Sequence, residues 1–166
     1  MTHDAIVSFA VLGVAGQALA VALLFPPVRH ALWGYELWLA FFVAALATGG
    51  SLFFSEIAHF APCELCWFER ICIYPLAIVM LLIALADDRR AARYLLPLPI
   101  VGAGLAVYHV LVERGVVSQT QGCAVSAPGG CATKWVEELG YVTIPVLTLT
   151  AFALLLGLLV LAGEPE

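Results

Sequence analysis

Charge is what this sequence lacks. Of its 166 residues only 11% are Asp, Glu, Lys or Arg, against about 25% in a soluble domain. Hydrophobic residues make up 63% and the mean hydropathy is +1.03. A water-soluble globule is excluded, and a bilayer must be the solvent. Positive charge is scarcer still: seven Lys and Arg face twelve Asp and Glu, for a net charge of −5. Without a basic footprint, nucleic acid is excluded as a partner. Length is limited too, and suits one helical unit with little room for a separate domain. The start, Met1-Thr2-His3-Asp4, lacks the positive n-region of a signal peptide. The apolar run behind it exceeds the usual length of about 7–15 residues. Although Ala18-Leu19-Ala20 resembles a cleavage site, the segment reads as a retained helix.

What is present is a set of five apolar stretches. Residues 5–25, 37–55 and 94–112 carry no Asp, Glu, Lys or Arg; nor do 71–86, which extend backwards through Glu69 and Arg70, or 141–163. At about 1.5 Å per residue, about 20 residues cross a hydrocarbon core of about 30 Å. Such spans must be helical, because a helix satisfies its own backbone hydrogen bonds. Trp33, Trp38, Trp67 and Trp135 fall near predicted helix ends, as in an interfacial aromatic belt.

Lys and Arg in the connections predict the orientation. Loop 87–93 holds Arg89, Arg90 and Arg93, and loop 26–36 holds Arg29; both should face the cytoplasm. Connection 113–140 has only Arg114 and Lys134 beside three glutamates and should face outward. The N-terminus is then outside and the acidic tail Glu164-Pro165-Glu166 inside. Two spans separate Cys63/Cys66 from Cys123/Cys131, so the two cysteine pairs lie on one face whichever way the chain is oriented. On the outer face they would meet an oxidising compartment, where disulfides persist.

Cys63-Glu64-Leu65-Cys66 stands at the mouth of a span. Pro62 is expected to interrupt the preceding helix, and Cys66 to enter the first turn of the next. Free amide groups and the dipole there favour a thiolate. Arg70, four residues on and on the same helical face, should lower the Cys66 pKa further. A vicinal dithiol so placed reads as redox-active; a structural disulfide or half of a metal site is the plainer alternative. Cys123 and Cys131 flank Pro128-Gly129-Gly130 in a turn-rich segment that a disulfide could close. So short a ring gains only about 2.5 kcal/mol from loop closure, which suits an exchangeable bond as well as a staple. Beyond it, Trp135, Leu139 and Val142 would share a face if the segment were helical and lay along the interface.

The strings Cys63-Glu64-Leu65-Cys66-Trp67-Phe68-Glu69-Arg70, Tyr108-His109 and Leu139-Gly140 with Pro145 resemble the DsbB family of quinone-linked disulfide-generating membrane proteins. Gly50–Glu56 and Gly140–Phe152 are similar to its short, BdbC-like branch in particular. The resemblance implies an all-α membrane protein: a four-helix transmembrane bundle over residues 37–166, with redox loops at 60–66 and 113–142. Residues 1–36 would add an extra N-terminal transmembrane helix and a cytoplasmic loop. It implies further that Cys123/Cys131 re-oxidise a DsbA-like thioredoxin-fold thiol oxidase. Cys123 would form the mixed disulfide, and Cys131 would exchange with Cys63. Cys66 would hand electrons to a membrane quinone, ubiquinone or menaquinone, with Arg70 beside the ring and His109 approaching it. The setting implied is the bacterial inner membrane, with both pairs extracytoplasmic. The energetics agree: a partner near about −120 mV is a strong oxidant, and each 30 mV uphill costs about 1.4 kcal/mol. A quinone draining to the respiratory chain meets that demand.

Other residues are read more simply. Glu56 at a helix end should snorkel to water. Cys72 is rotated about 240° from Cys66 and should behave as a small buried apolar group. Pro75, Pro97, Pro99 and Pro145 should mark bends and helix starts. Two other functions compete. A vitamin K epoxide reductase-like enzyme also couples a CxxC to a quinone, but there the loop pair precedes the CxxC. A cysteine-based metal-binding membrane protein would gather four cysteines around zinc in a closed tetrahedral site.

Overall fold

In the computed structural model of the chain, residues 2–163 are described; Met1 and the tail Glu164–Glu166 lie outside them. Among the described residues five helices are long and apolar enough to cross a membrane: Asp4–Ala22, Glu36–Ile57, Glu64–Ala86, Arg89–Glu113 and Ile144–Ala162. In detail, α1 is Thr2–Ala22, α2 the short Pro26–Leu32, and α3 Glu36–Leu52, continued by a π-helical turn at Phe53–Ile57. Then α4 spans Glu64–Ala86, α5 Arg89–Ala92 and, after a 3-10 turn, α6 Pro97–Glu113. The connection after α6 holds α7, Gln121–Ser126, and a 3-10 turn at Gly130–Ala132; α8 is Ile144–Ala162. Among the described residues there is no strand, only an isolated antiparallel bridge between Glu138 and Val142. The fold is all-α.

Helices α3, α4, α6 and α8 make the bundle, α3 and α6 each packing on both α4 and α8, while α1 leans on α8 from outside. Lipid tails are as apolar as leucine, so close packing, not hydrophobic exclusion, holds such helices together. Leu76, Met80, Phe152, Leu155 and Leu158 are fully buried at the centre. Gly102 allows α6 to meet α8, since a Cβ there would strike the Phe152 ring. Proline falls where the backbone tolerates it: Pro97 opens α6 and Pro145 lies in the first turn of α8, where an N–H has no helical partner to lose. Pro75 stands inside α4.

The end remote from the paired cysteines is tied by charge. Glu36 is 1% exposed, and Arg89 Nη1 lies 2.6 Å from its Oε1. The Gly34 N–H donates to Glu36 Oε2 at 2.6 Å, and the Arg89 guanidinium sits 5.4 Å from the Trp33 ring. Loops 26–36 and 87–93 therefore share one end, as the alternation of spans requires.

Two local expectations are corrected. The helix before the CxxC stops at Ile57, well before Pro62. His59 adopts a left-handed conformation, φ 56°, and the Phe60 N–H donates back to the Phe54 carbonyl at 2.9 Å. The chain has already turned before proline could act. Residues 135–142 are not helical either. Leu139 and Gly140 have φ of 54° and 75°, and two successive left-handed residues make a tight reversal. Glu138 and Val142 exchange backbone hydrogen bonds across it at 3.0 and 2.9 Å. Trp135 is anchored by stacking on Phe60, ring centroids 5.2 Å apart.

Candidate redox site

Cys63 is the N-cap of α4. Its backbone is extended, and its Sγ accepts the Cys66 N–H at 3.4 Å, a place usually taken by a Ser, Thr or Asp oxygen. One turn of helix carries Cys66 back to Cys63, so that the two sulfurs are 2.9 Å apart. On the other side of Cys63 is His109 of α6, its Nε2 3.6 Å from Sγ. The His109 Nδ1 is 2.9 Å from Glu69 Oε1, and both residues are buried. With Nδ1–H donating to the carboxylate, Nε2 is left to take a proton from the Cys63 thiol or to donate to its thiolate. A nucleophile, a base and an orienting carboxylate follow in sequence, the usual logic of an activated side chain.

These donors converge on Cys63, whose thiol is lowered from 9.0 to about 4. The Cys66 thiol is the largest cause. His109 and the Cys66 N–H add to it, and burial opposes. The expected site of the stabilised thiolate, Cys66, is thus displaced by one turn in this dithiol form. The reason is that the N-cap sulfur, not the sulfur inside the helix, receives the hydrogen bonds. Arg70 does not make up the difference: its Nε donates to Ser51 Oγ at 2.9 Å and its Nη2 to the Ser51 carbonyl at 3.2 Å. It also lies 5.1 Å from the Trp67 ring centroid.

Arg70, Ser51, Cys66 and Glu69 form the polar head of a cavity of about 370 Å³ between α1, α3, α4 and α8; its remaining lining is mostly apolar. His109 is not among the residues that line it. Instead His109 shares a second space of about 20 Å³ with Cys63, Cys66, Cys131 and Glu113, room for about one water.

Cys123 and Cys131 form a disulfide, each sulfur-bearing residue only 1% exposed. Together with Cys63, Leu65, Val112 and Ala127 they make one buried cluster, so both cysteine pairs do lie at the same end of the bundle. Thr120 caps α7 by accepting the Cys123 N–H at 3.2 Å and donates to Glu64 Oε2 at 3.4 Å, tying the loop after α6 to the start of α4. Cys72 is buried among bundle residues, as a small apolar group would be. Glu56 is exposed and bonded to Ser55. A four-cysteine metal site is not assembled, because two of its members are bonded to each other. What remains is a three-donor group, Cys63, Cys66 and His109, with ligand atoms within 4.8 Å.

Glu69 is the residue of this cluster to which the sequence reading gave no role. Its signal was available: a carboxylate inside an apolar span, three residues from Cys66, is costly in lipid and marks a site.

The profile of the family described as Disulfide bond formation protein DsbB matches residues 35–162. The chain belongs to the DsbB family. Its curated relatives include a probable disulfide formation protein of Deinococcus radiodurans, 45% identical over 131 residues, covering 75% of this chain and 86% of that one. Disulfide bond formation protein C of Bacillus subtilis is 38% identical over 121 residues, covering 72% and 86%. A probable disulfide formation protein of Coxiella burnetii is 34% identical over 136 residues, covering 81% and 92%. No solved structure shows a significant match. This DsbB-family chain is a multi-pass membrane protein with the short, BdbC-like character of these relatives, and its first helix lies outside the family match.

Proposed function

We propose that the protein re-oxidises a DsbA-like thioredoxin-fold thiol oxidase and delivers the electrons to a membrane quinone, generating disulfides for extracytoplasmic proteins. The observation that carries the reading is a chain of three adjoining parts. A loop disulfide packs on Cys63, Cys63 faces Cys66, and Cys66 lines an apolar cavity with Arg70 at its head.

The steps balance as thiol–disulfide exchange. A partner thiolate attacks Cys123, and Cys131 leaves as thiolate. Cys131 attacks Cys63 of a closed Cys63–Cys66 disulfide, releasing the Cys66 thiolate. The partner's second thiol displaces Cys123, which then recovers Cys131 and frees Cys63. The partner leaves oxidised, and Cys63/Cys66 are left as the dithiol. His109, oriented by Glu69, holds or accepts the Cys63 proton. A bound quinone supplies the acceptor for the two electrons and two protons released when the Cys63–Cys66 disulfide closes again. The donor set suits such a group: a fixed cation and hydroxyl at one end, hydrocarbon at the other. Because both loop cysteines are buried, docking of the partner would have to shift the segment around α7. The arginine-rich loop 87–93 at the opposite end supports an extracytoplasmic location for the cysteines in the bacterial plasma membrane.

The test uses purified full-length protein with a reduced thioredoxin-fold oxidase and quinone. Loss of quinone absorbance and oxidation of the partner are expected together. Cys66→Ser should abolish the first; quinone reduction that survives it would sink the mechanism. The three-donor group suggests metal binding as a second reading. Stoichiometric zinc on the purified chain, with Cys63 and Cys66 inert to a mild dithiol, would favour that instead.

A further inference from the structure

The first helix, outside the family match, is a wall of the cavity below Arg70. Phe9, Gly13, Gly16 and Leu19 of α1 all line it. Along α1 the lining runs from Phe9 to Leu19 and along α8 from Ile144 to Leu154, eleven residues in each case, or about 15 Å of helix from first to last. From its head at Arg70 the space therefore descends through about half of the ~30 Å hydrocarbon core. Its deep half, lined by Leu19, Val43, Ala47 and Leu154, offers no charge.

The helix is fastened there and not merely adjacent. Gln17, an amide in an otherwise apolar stretch, accepts the Tyr141 hydroxyl at 3.0 Å and donates to Thr150 Oγ1 at 3.4 Å. Phe9 packs 5.3 Å from Phe54. Gly13 brings α1 so near α8 that a Cβ would strike Leu147. A volume of about 370 Å³ lies in the range of small-molecule sites, about 300–1,000 Å³. Its form, a polar head continued by an apolar shaft along the membrane normal, is that of a ring bearing a long hydrocarbon chain.

We infer that α1 is the outer wall of a tail channel: it encloses the first isoprenoid units of the lipid quinone and so selects long-tailed quinones over short ones. This rests on the quinone reading above and adds the part of the ligand recognised and the element that recognises it.

The experiment measures equilibrium binding of quinones with one and with eight isoprenoid units to the full chain in lipid nanodiscs. Quenching of Trp135, which lines the cavity, reports binding, expressed per mole of lipid. The eight-unit quinone should bind at least about tenfold more tightly. Gly16→Phe, placed where α1 meets Leu154 and Thr150, should weaken binding of the eight-unit quinone at least about fivefold more than that of the one-unit quinone. Equal loss for both, or no loss, would overturn the inference. A second measurement needs no variant. A quinone with a diazirine on its second isoprenoid unit is photolysed on the wild-type protein, and the adducts are mapped. Adducts within residues 9–19 are expected; labelling confined to α4 and α8 would overturn it. If neither quinone binds the wild type, the quinone reading itself falls and this inference with it.

Discussion

The acid–base character of Cys63 can be tested directly, because its cause is concentrated in one neighbour. An ordinary thiol with a pKa of 9.0 is only about 1% thiolate at pH 7. Lowered to about 4, Cys63 is essentially all thiolate from pH 6 upward. Ultraviolet titration of the thiolate absorbance, taken as wild type minus Cys63→Ser, should be flat from about pH 6 to 7.5, below the range in which the remaining thiols ionise, and fall near pH 4. The largest cause is the Cys66 thiol 2.9 Å away, so Cys66→Ala should move the midpoint upward by units. Cys66→Ser, which keeps a hydroxyl donor, should move it less. His109→Ala removes a smaller contribution and should give an intermediate rise. The sign for stability follows from linkage: the depressed pKa contributes stability fully present above pH 9 and lost as pH falls through about 4. A wild-type midpoint near 9, or no shift in Cys66→Ala, would refute the argument that the N-cap sulfur holds the charge.

Arg70→Ala removes a charged donor from the cavity head, and charged hydrogen bonds contribute about 1.5–3 kcal/mol. The apparent affinity for quinone should fall about tenfold or more while exchange with the partner is nearly unchanged; equal losses would remove the ring-contact role. Glu69→Gln leaves His109 in place but without its carboxylate partner. Closure of the Cys63–Cys66 disulfide should slow by less than the ~10²–10⁴ of general acid–base catalysis. Its pH–rate profile should shift, which a purely structural role would not produce.

Much of this was legible from composition and spacing. The near absence of charge dictates helices that cross lipid, because backbone groups there have no other partner. Counting spans puts the cysteine pairs at one end, and the shared cluster of Cys63, Cys123 and Cys131 bears that out. The CxxC was legible as the start of a helix, since an N-terminal turn brings its two sulfurs together whatever surrounds it. The turn at Leu139-Gly140 was not, because Leu139 in a left-handed conformation runs against its own preference and is held by the Glu138–Val142 bridge.

By itself, then, the sequence determined the solvent, the number of apolar spans, the placing of both cysteine pairs at one end and the family. Each depends on composition or on residues close along the chain. Only the tertiary structure decided that His109 faces Cys63 and Glu69 instead of the large cavity, that the thiolate is favoured at Cys63, and that α1 walls the space below Arg70. Those depend on the rotation of one helix against another, which an apolar surface in lipid leaves undetermined until packing selects it.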